Sequence, residues 1–565
     1  MLIRSTIAAP VSAVIGVTLV IAGLLVPSST LIDYLRITPD GLRGQLIAGG
    51  VLFKIGLIIQ GLFMMALRRF FLFNTGDPKA NRSDNRSDGS FAFIIVALLA
   101  SAFLLRVYNL NSGIWFDEIV TYVLYMERSF GEILTSYDNQ NNHLLYTLFA
   151  RTSFLIFGDS VWSLRFPAVL FGVGSIWALY LLSCQVATPR EGLLSAGILT
   201  FSYHHVWFSQ NARGYTALLF FSILSSLYLV RALRERNISL WLMYGVSTAL
   251  GLMTHLTMAF VVVAHCLIFL MSALNSSKRN RRDIWWEGFF GFGCAGIVTF
   301  QLYSFVLPQL LQWQGKGVSS WQGTIAVSPW KSPIWMMGEV WENLNIGPGS
   351  GLLLLLCAIV LGAGLIDFAQ KKSPVVILLI IPVITGIIVI MSLNSTLLPR
   401  LFFFSMGFAV IIIVRGLMCS GKIISWGTGL DASKGRLIGA GLCICTIIIA
   451  GVSVFKAYQP KQDYGGALKF LENQRQPGDV VLTVGLTVLP YQQFYKMDWS
   501  EVTVAADLDK DQFRGKRTWL VYTMPVVLRA AHPEIMNRIR REFEVVKEFP
   551  GTLSGGNIVV AIAKT

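Results

Sequence analysis

The sequence predicts a polytopic α-helical membrane protein of about thirteen transmembrane helices with a C-terminal soluble α/β domain, on three observations. Hydrophobic residues make up 54% of the 565 and charged residues only 14%, against about 25% charge in a soluble domain; the mean hydropathy is +0.61. The net charge of +15 comes from Lys and Arg in short loops between apolar runs. That is the orientation signal of membrane insertion, not a nucleic-acid footprint. Beyond residue 456 the apolar runs shorten to strand length and charges intersperse.

Residues 1–90 hold two spans and a linker. The first, 7–27, follows Arg4 and has no A-x-A cleavage pattern, so it reads as an uncleaved span with a cytoplasmic N-terminus. The second, 46–67, ends in Arg68-Arg69 and a basic loop with a tandem Asn-Arg-Ser-Asp repeat, placed in the cytoplasm by its charge.

Residues 91–456 form the helical core, with external loops at 111–165 and 308–350. A third span, 91–110, runs outward and delivers Asp117-Glu118. The next apolar stretch, 143–158, carries Arg151 and reaches roughly 24 Å against a hydrocarbon core of ~30 Å, so it is expected to stay on one side. Later spans fall near 166–187, 192–208, 215–233, 239–256, 258–275, 285–307, 351–370, 374–393, 401–418 and 437–456. With 143–158 not crossing, Arg231-Arg234-Arg236, Lys278 to Arg282, Lys371-Lys372 and the 422–436 loop are all cytoplasmic.

Residues 457–565 read as an external α/β domain. Strands are expected at 479–484, 501–506, 517–523, 544–548 and 557–564, and helices at 463–475 and 532–542. The seven cysteines lie in or beside apolar segments, with one C-x-C and no metal-like spacing, so neither disulfides nor a structural metal is expected.

The external face collects a biased set of side chains: Asp117, Glu118, Asn139 to His143, Arg151, Arg165, the 203–215 loop, the Trp-rich 308–350 loop and Arg400. Charged groups at that depth need water, a partner or a substrate. A carboxylate can take the proton of an attacking hydroxyl, and arginines match phosphate. The combination suits transfer from a phosphate leaving group reached from within the membrane. His204-His205 point about 100° apart on a helix and make a poor metal pair. His255 and His265 read as packed, and the five tryptophans of 308–350 as interfacial anchors.

Three segments carry a resemblance: Trp115-Phe116-Asp117-Glu118 after a span, Asn142-His143-Leu144-Leu145-Tyr146 with Phe157 to Pro167, and Ser209-Gln210-Asn211-Ala212-Arg213-Gly214-Tyr215. In this order the chain resembles the GT-C superfamily of polyprenyl-phosphate-sugar-dependent glycosyltransferases. It is most similar to the bacterial protein O-mannosyltransferase, aminoarabinose transferase and Rgt-like branch. The resemblance implies an inverting glycosyltransferase in the plasma (inner) membrane, with active site and tail external. The donor would be a polyprenyl-phosphate sugar and the acceptor a cell-envelope glycolipid, polysaccharide or protein. Asp117 is then the expected general base, supported by Glu118, with Arg213, Arg165, Arg400, His143, Tyr215 and Gln210 as donor- or substrate-binding residues. No cofactor is required; a divalent metal is allowed but not indicated. Two departures stand out: no proline precedes the helix at His143, and the family's late Arg-Tyr pair is Arg400-Leu401. A lipid-linked sugar flippase or transporter, or an oligosaccharide ligase, are the alternatives.

Overall fold

The structure, a computed structural model, describes residues 2–35, 43–73, 89–137, 141–312, 350–393, 397–509, 515–553 and 555–564. The tryptophans at 313, 321, 330, 335 and 341 and the Asn-Arg-Ser-Asp repeat lie outside the described residues.

Among the described residues, seven helices are long and apolar enough to cross a membrane, or eight if Pro10–Leu25 and Ser28–Tyr34, bent by 99°, form one span. The other expected spans fall on helices too, but on shorter, broken or more charged ones. Phe91–Val107, Ile238–Thr254 and Leu355–Gln370 are short, and Lys278–Tyr303 opens on a basic turn. The stretch expected as one span at 192–208 is two helices, Pro189–Phe201 and Tyr203–Ser209, broken where Ser202 turns extended (φ −66°, ψ 121°).

The helices sort charge onto two faces. On one, Arg415 joins Glu191 at 2.7 Å and Asp367 at 2.6 Å. Arg236 pairs there with Glu287, and the Arg234 guanidinium donates to the Gln185 carbonyl. The other end of the bundle gathers Arg106, Asp117, Glu118, Arg165, Arg213 and Arg400, and we call it the site face.

The Leu144–Phe157 helix packs against segments that carry the site. His143, at its start, accepts a hydrogen bond from the Gly214 N–H. Midway, the Arg151 guanidinium donates to the Met126 carbonyl, and Ser153 donates to the Ser163 carbonyl. From His143 to Ser153 the helix rises about 15 Å.

The tail is a five-stranded sheet of order β2-β1-β3-β5-β4, with β1 Val480–Val484, β2 Ser500–Val502, β3 Thr518–Thr523, β4 Phe543–Phe549 and β5 Ile558–Ala563. Strands β2, β1 and β3 are parallel; β5 and β4 are antiparallel additions. The helix Tyr464–Gln474 covers one face and Pro533–Glu542 the other. Tyr464, Leu471, Trp519 and Val560 share one apolar cluster with Ile114, Ile119, Tyr146, Leu164 and Ala212. The tail therefore packs on the helix that carries the acid pair and on the segments beside it.

Candidate active site

The helix Phe116–Tyr125 puts both acids in its first turn, where a helix start favours negative charge. From there the two carboxylates meet different surroundings.

Glu118 is fully buried and saturated. The Arg165 fork donates to it twice, Nε to Oε1 at 2.8 Å and Nη2 to Oε2 at 2.6 Å. The Ala212 N–H adds a bond of 2.7 Å and the Trp115 N–H one of 3.4 Å. Burial alone would raise the Glu118 carboxyl, but Arg165, Lys461 and the hydrogen bonds outweigh it and hold it below the usual range.

Asp117 makes no side-chain hydrogen bond among the described residues. Its Oδ2 is buried, 3.3 Å from Arg400 Nη1 and 4.0 Å from Arg213 Nη2. Among the described residues Arg213 donates once, from Nη1 to the Asn141 carbonyl, and its buried Nε has no partner. The Arg400 side chain keeps 30% of its surface exposed. Two guanidiniums with unfilled donors thus face one unfilled carboxylate.

Arg165 and Gln210, expected to touch a substrate, are occupied elsewhere. Besides Glu118, the Arg165 guanidinium donates to the carbonyls of Leu110, Ser112 and Gly113, which uses all five N–H groups. The Gln210 amide donates to the carbonyls of Arg106 and Tyr108. Both brace the loops that present Asp117 and Arg213. His143 and Tyr215 do line the site: their rings pack edge to face at 5.4 Å, and the Arg213 guanidinium lies 5.8 Å from the centre of Tyr215.

Four residues that sequence reading did not select complete the arrangement. His255, expected to be packed, sits against His143 with ring centroids 4.8 Å apart. Arg106 is wholly buried and binds His205 Nδ1, Ser209 Oγ and the carbonyls of Ala102, Leu199 and Thr200. Lys461 Nζ donates to the Gln210 carbonyl at 2.7 Å and lies 5.0 Å over the Trp207 ring. Gln462 Oε1 accepts from the Phe116 N–H at 3.1 Å, and its amide faces Thr523 Oγ1 on β3. Burial pulls the Lys461 ammonium down to about 7, with Glu118 opposing and Arg165 assisting.

No group of three or more His, Cys, Asp or Glu side chains able to hold a metal ion occurs among the described residues.

Residues 142–295 match the family model described as dolichyl-phosphate-mannose-protein mannosyltransferase. The resemblance that the motifs carry is borne out. The matched stretch contains His143, Arg165, Gln210, Arg213, Tyr215 and His255, while Asp117, Glu118, Arg400 and Lys461 lie outside it. A curated protein of Bacillus subtilis (strain 168), "Putative mannosyltransferase YkcB", is 25% identical over 206 residues, 33% of this chain and 27% of that one. The chain thus spans about a quarter of the length of that relative. Among solved structures, ArnT from Cupriavidus metallidurans bound to undecaprenyl phosphate is 11% identical, with 84% of this chain and 98% of that chain covered and a TM-score of 0.43. The Archaeoglobus fulgidus oligosaccharyltransferase with a tethered acceptor peptide is 11% identical, with 83% and 74% covered and a TM-score of 0.47.

Proposed function

We propose that the chain is a membrane glycosyltransferase that moves a single sugar from a polyprenyl-phosphate donor to a cell-envelope acceptor on the external face, with inversion. One observation carries this reading: Asp117 faces Arg400 and Arg213 at 3.3 and 4.0 Å with no side-chain hydrogen bond among the described residues, beside a Glu118 whose oxygens are filled. The charge balance supports it. Arg106, Arg165, Arg213 and Arg400 stand against two carboxylates, which leaves room for an anion.

In this mechanism the donor phosphate takes over Arg213 and Arg400, whose planar forks suit phosphate oxygens. Asp117 is thereby released from its ion pairs. It accepts the proton of the acceptor hydroxyl as that oxygen bonds to the anomeric carbon. The bond from that carbon to the phosphate oxygen breaks on the opposite side, and polyprenyl phosphate leaves with the electron pair, its charge balanced by the two guanidiniums. Arg165 and Glu118 fix the helix start that aims Asp117. The site and tail lie outside and the N-terminus inside, a topology supported by the gathering of Arg231, Arg234, Arg236 and Lys371 at the other face.

The deciding experiment compares cell-envelope glycolipids and glycoproteins by mass analysis in cells carrying the wild type or Asp117→Asn. A sugar increment present with the first and missing with the second, at equal amounts of folded protein, supports the reading; identical envelopes refute it.

A further inference from the structure

We propose that His143 and His255 act as a pair of neutral imidazoles whose Nε2–H groups bind non-bridging oxygens of an anionic phosphate beside Arg213 and Arg400. The inference deepens the reading above and rests on it: the phosphate is that of the lipid-linked donor.

The backbone sets the tautomer of each ring. The Gly214 N–H donates to His143 Nδ1 at 3.1 Å; the Thr257 N–H donates to His255 Nδ1 at 3.2 Å, and the Thr257 hydroxyl, 2.8 Å from the same nitrogen, can donate to it as well. An amide N–H can only donate, so each Nδ1 is bare and a neutral ring carries its proton on Nε2. Neither Nε2 has a hydrogen-bond partner among the described residues. The approach to His143 is built in: a Cβ on Gly214 would come within 2.7 Å of His143 Nδ1 and 2.8 Å of Thr254 Cγ2, so only glycine admits it.

The surroundings keep both rings uncharged. Burial, then Arg213, His255 and Arg400, hold His143 well below the usual histidine range, and the same guanidiniums disfavour a positive charge on the His255 ring, 4.8 Å from His143. The same two guanidiniums disfavour a cation between the rings, and no third metal ligand joins them among the described residues. Tyr215 packs against both imidazoles, at 5.4 and 6.0 Å between centroids, and holds the pair beside Arg213. What remains is two N–H donors next to two cations, a set that fits phosphate oxygens and brings no further charge to desolvate.

The test uses the purified full-length protein in detergent and undecaprenyl monophosphate as the probe, with undecaprenol, which lacks the phosphate, as the control. His255→Phe keeps an aromatic ring but no donor and should weaken binding about 10-fold, whereas His255→Gln retains an N–H and should stay within roughly 3-fold of wild type. Undecaprenol should not distinguish the variants. His143→Gln serves as the second variant, because His143 also holds Gly214. If His255→Phe binds the phosphate lipid as tightly as wild type, the histidine role is overturned. The same holds if Gln loses as much as Phe. In either case Arg400→Ala decides the fate of the underlying reading: weaker binding preserves it, and unchanged binding removes it together with this proposal.

Discussion

Asp117 and Glu118 are neighbours in sequence and share one helix start, yet four hydrogen bonds fill the oxygens of Glu118 and, among the described residues, none reaches the side chain of Asp117. The difference separates two uses of a buried acid. A carboxylate taken from water is tolerated when a fork-shaped cation and extra donors replace its hydration. Filled in that way, it organises: Glu118 ties together the segment before its own helix, the 210–214 turn and the Arg165 helix. A carboxylate left at ion-pair distance from two arginines is poised for exchange. A ligand anion can take the arginines, and a hydroxyl can reach the acid.

The comparison breaks first at Asp117. Asp117→Asn should lower transfer by about 10³-fold, within the span expected for loss of a general base, while the melting temperature stays close to wild type. A comparable fall from Glu118→Gln with intact folding would erase the distinction. Next comes Arg165→Ala, which strands Glu118 as an unpaired buried charge and should cost about 3–5 kcal/mol. Fluorescence-detected melting in detergent should show it as a collapse in folded yield, and Arg165→Lys should rescue little because the fork is lost.

Smaller effects sharpen the contrast. Arg213→Ala should raise the apparent KM for donor about 10-fold, with a lesser change in kcat, since one charge-assisted contact is removed. Gln462→Ala removes the acceptor of the Phe116 N–H. It should cost about 1 kcal/mol locally and reduce kcat a few-fold, with donor KM unaltered.

The smallest effect is in pH. With Lys461 near 7 in the docked tail and about 10.4 when exposed, the undocked chain holds the extra proton between those values. Docking should therefore strengthen as pH rises from about 7 towards 10. Melting curves at pH 6.5, 8 and 9.5 should rise in the wild type and flatten in Lys461→Met.

The sequence made parts of this legible for physical reasons. Acids and arginines beside apolar spans are costly, so Asp117, Glu118, Arg213 and Arg400 stood out from their setting. The division of labour among the arginines was not legible. Arg165 and Arg400 look alike beside their spans, and only the carbonyls of Leu110, Ser112 and Gly113 show that one is saturated. His255 lies between two apolar helices and reads as packed until its neighbour, 112 residues earlier, is seen. Lys461 and Gln462 follow the last span as an ordinary polar linker, and Gln462 meets Phe116 across 346 positions of sequence. No local pattern encodes a contact of that range.

The shared core of tail and loops also bears on the order of synthesis. Tyr464, Trp519 and Val560 pack with Ile119 and Ala212, and Thr552 accepts a hydrogen bond from the Trp207 indole. A ribosome makes those partners hundreds of residues after the acids they support. The spans can enter the membrane one by one, but the acid pair gains its full support only once β5 has formed. During biogenesis the centre stays unfinished, and a chain stalled after its last helix would present the right residues without the frame that aims them.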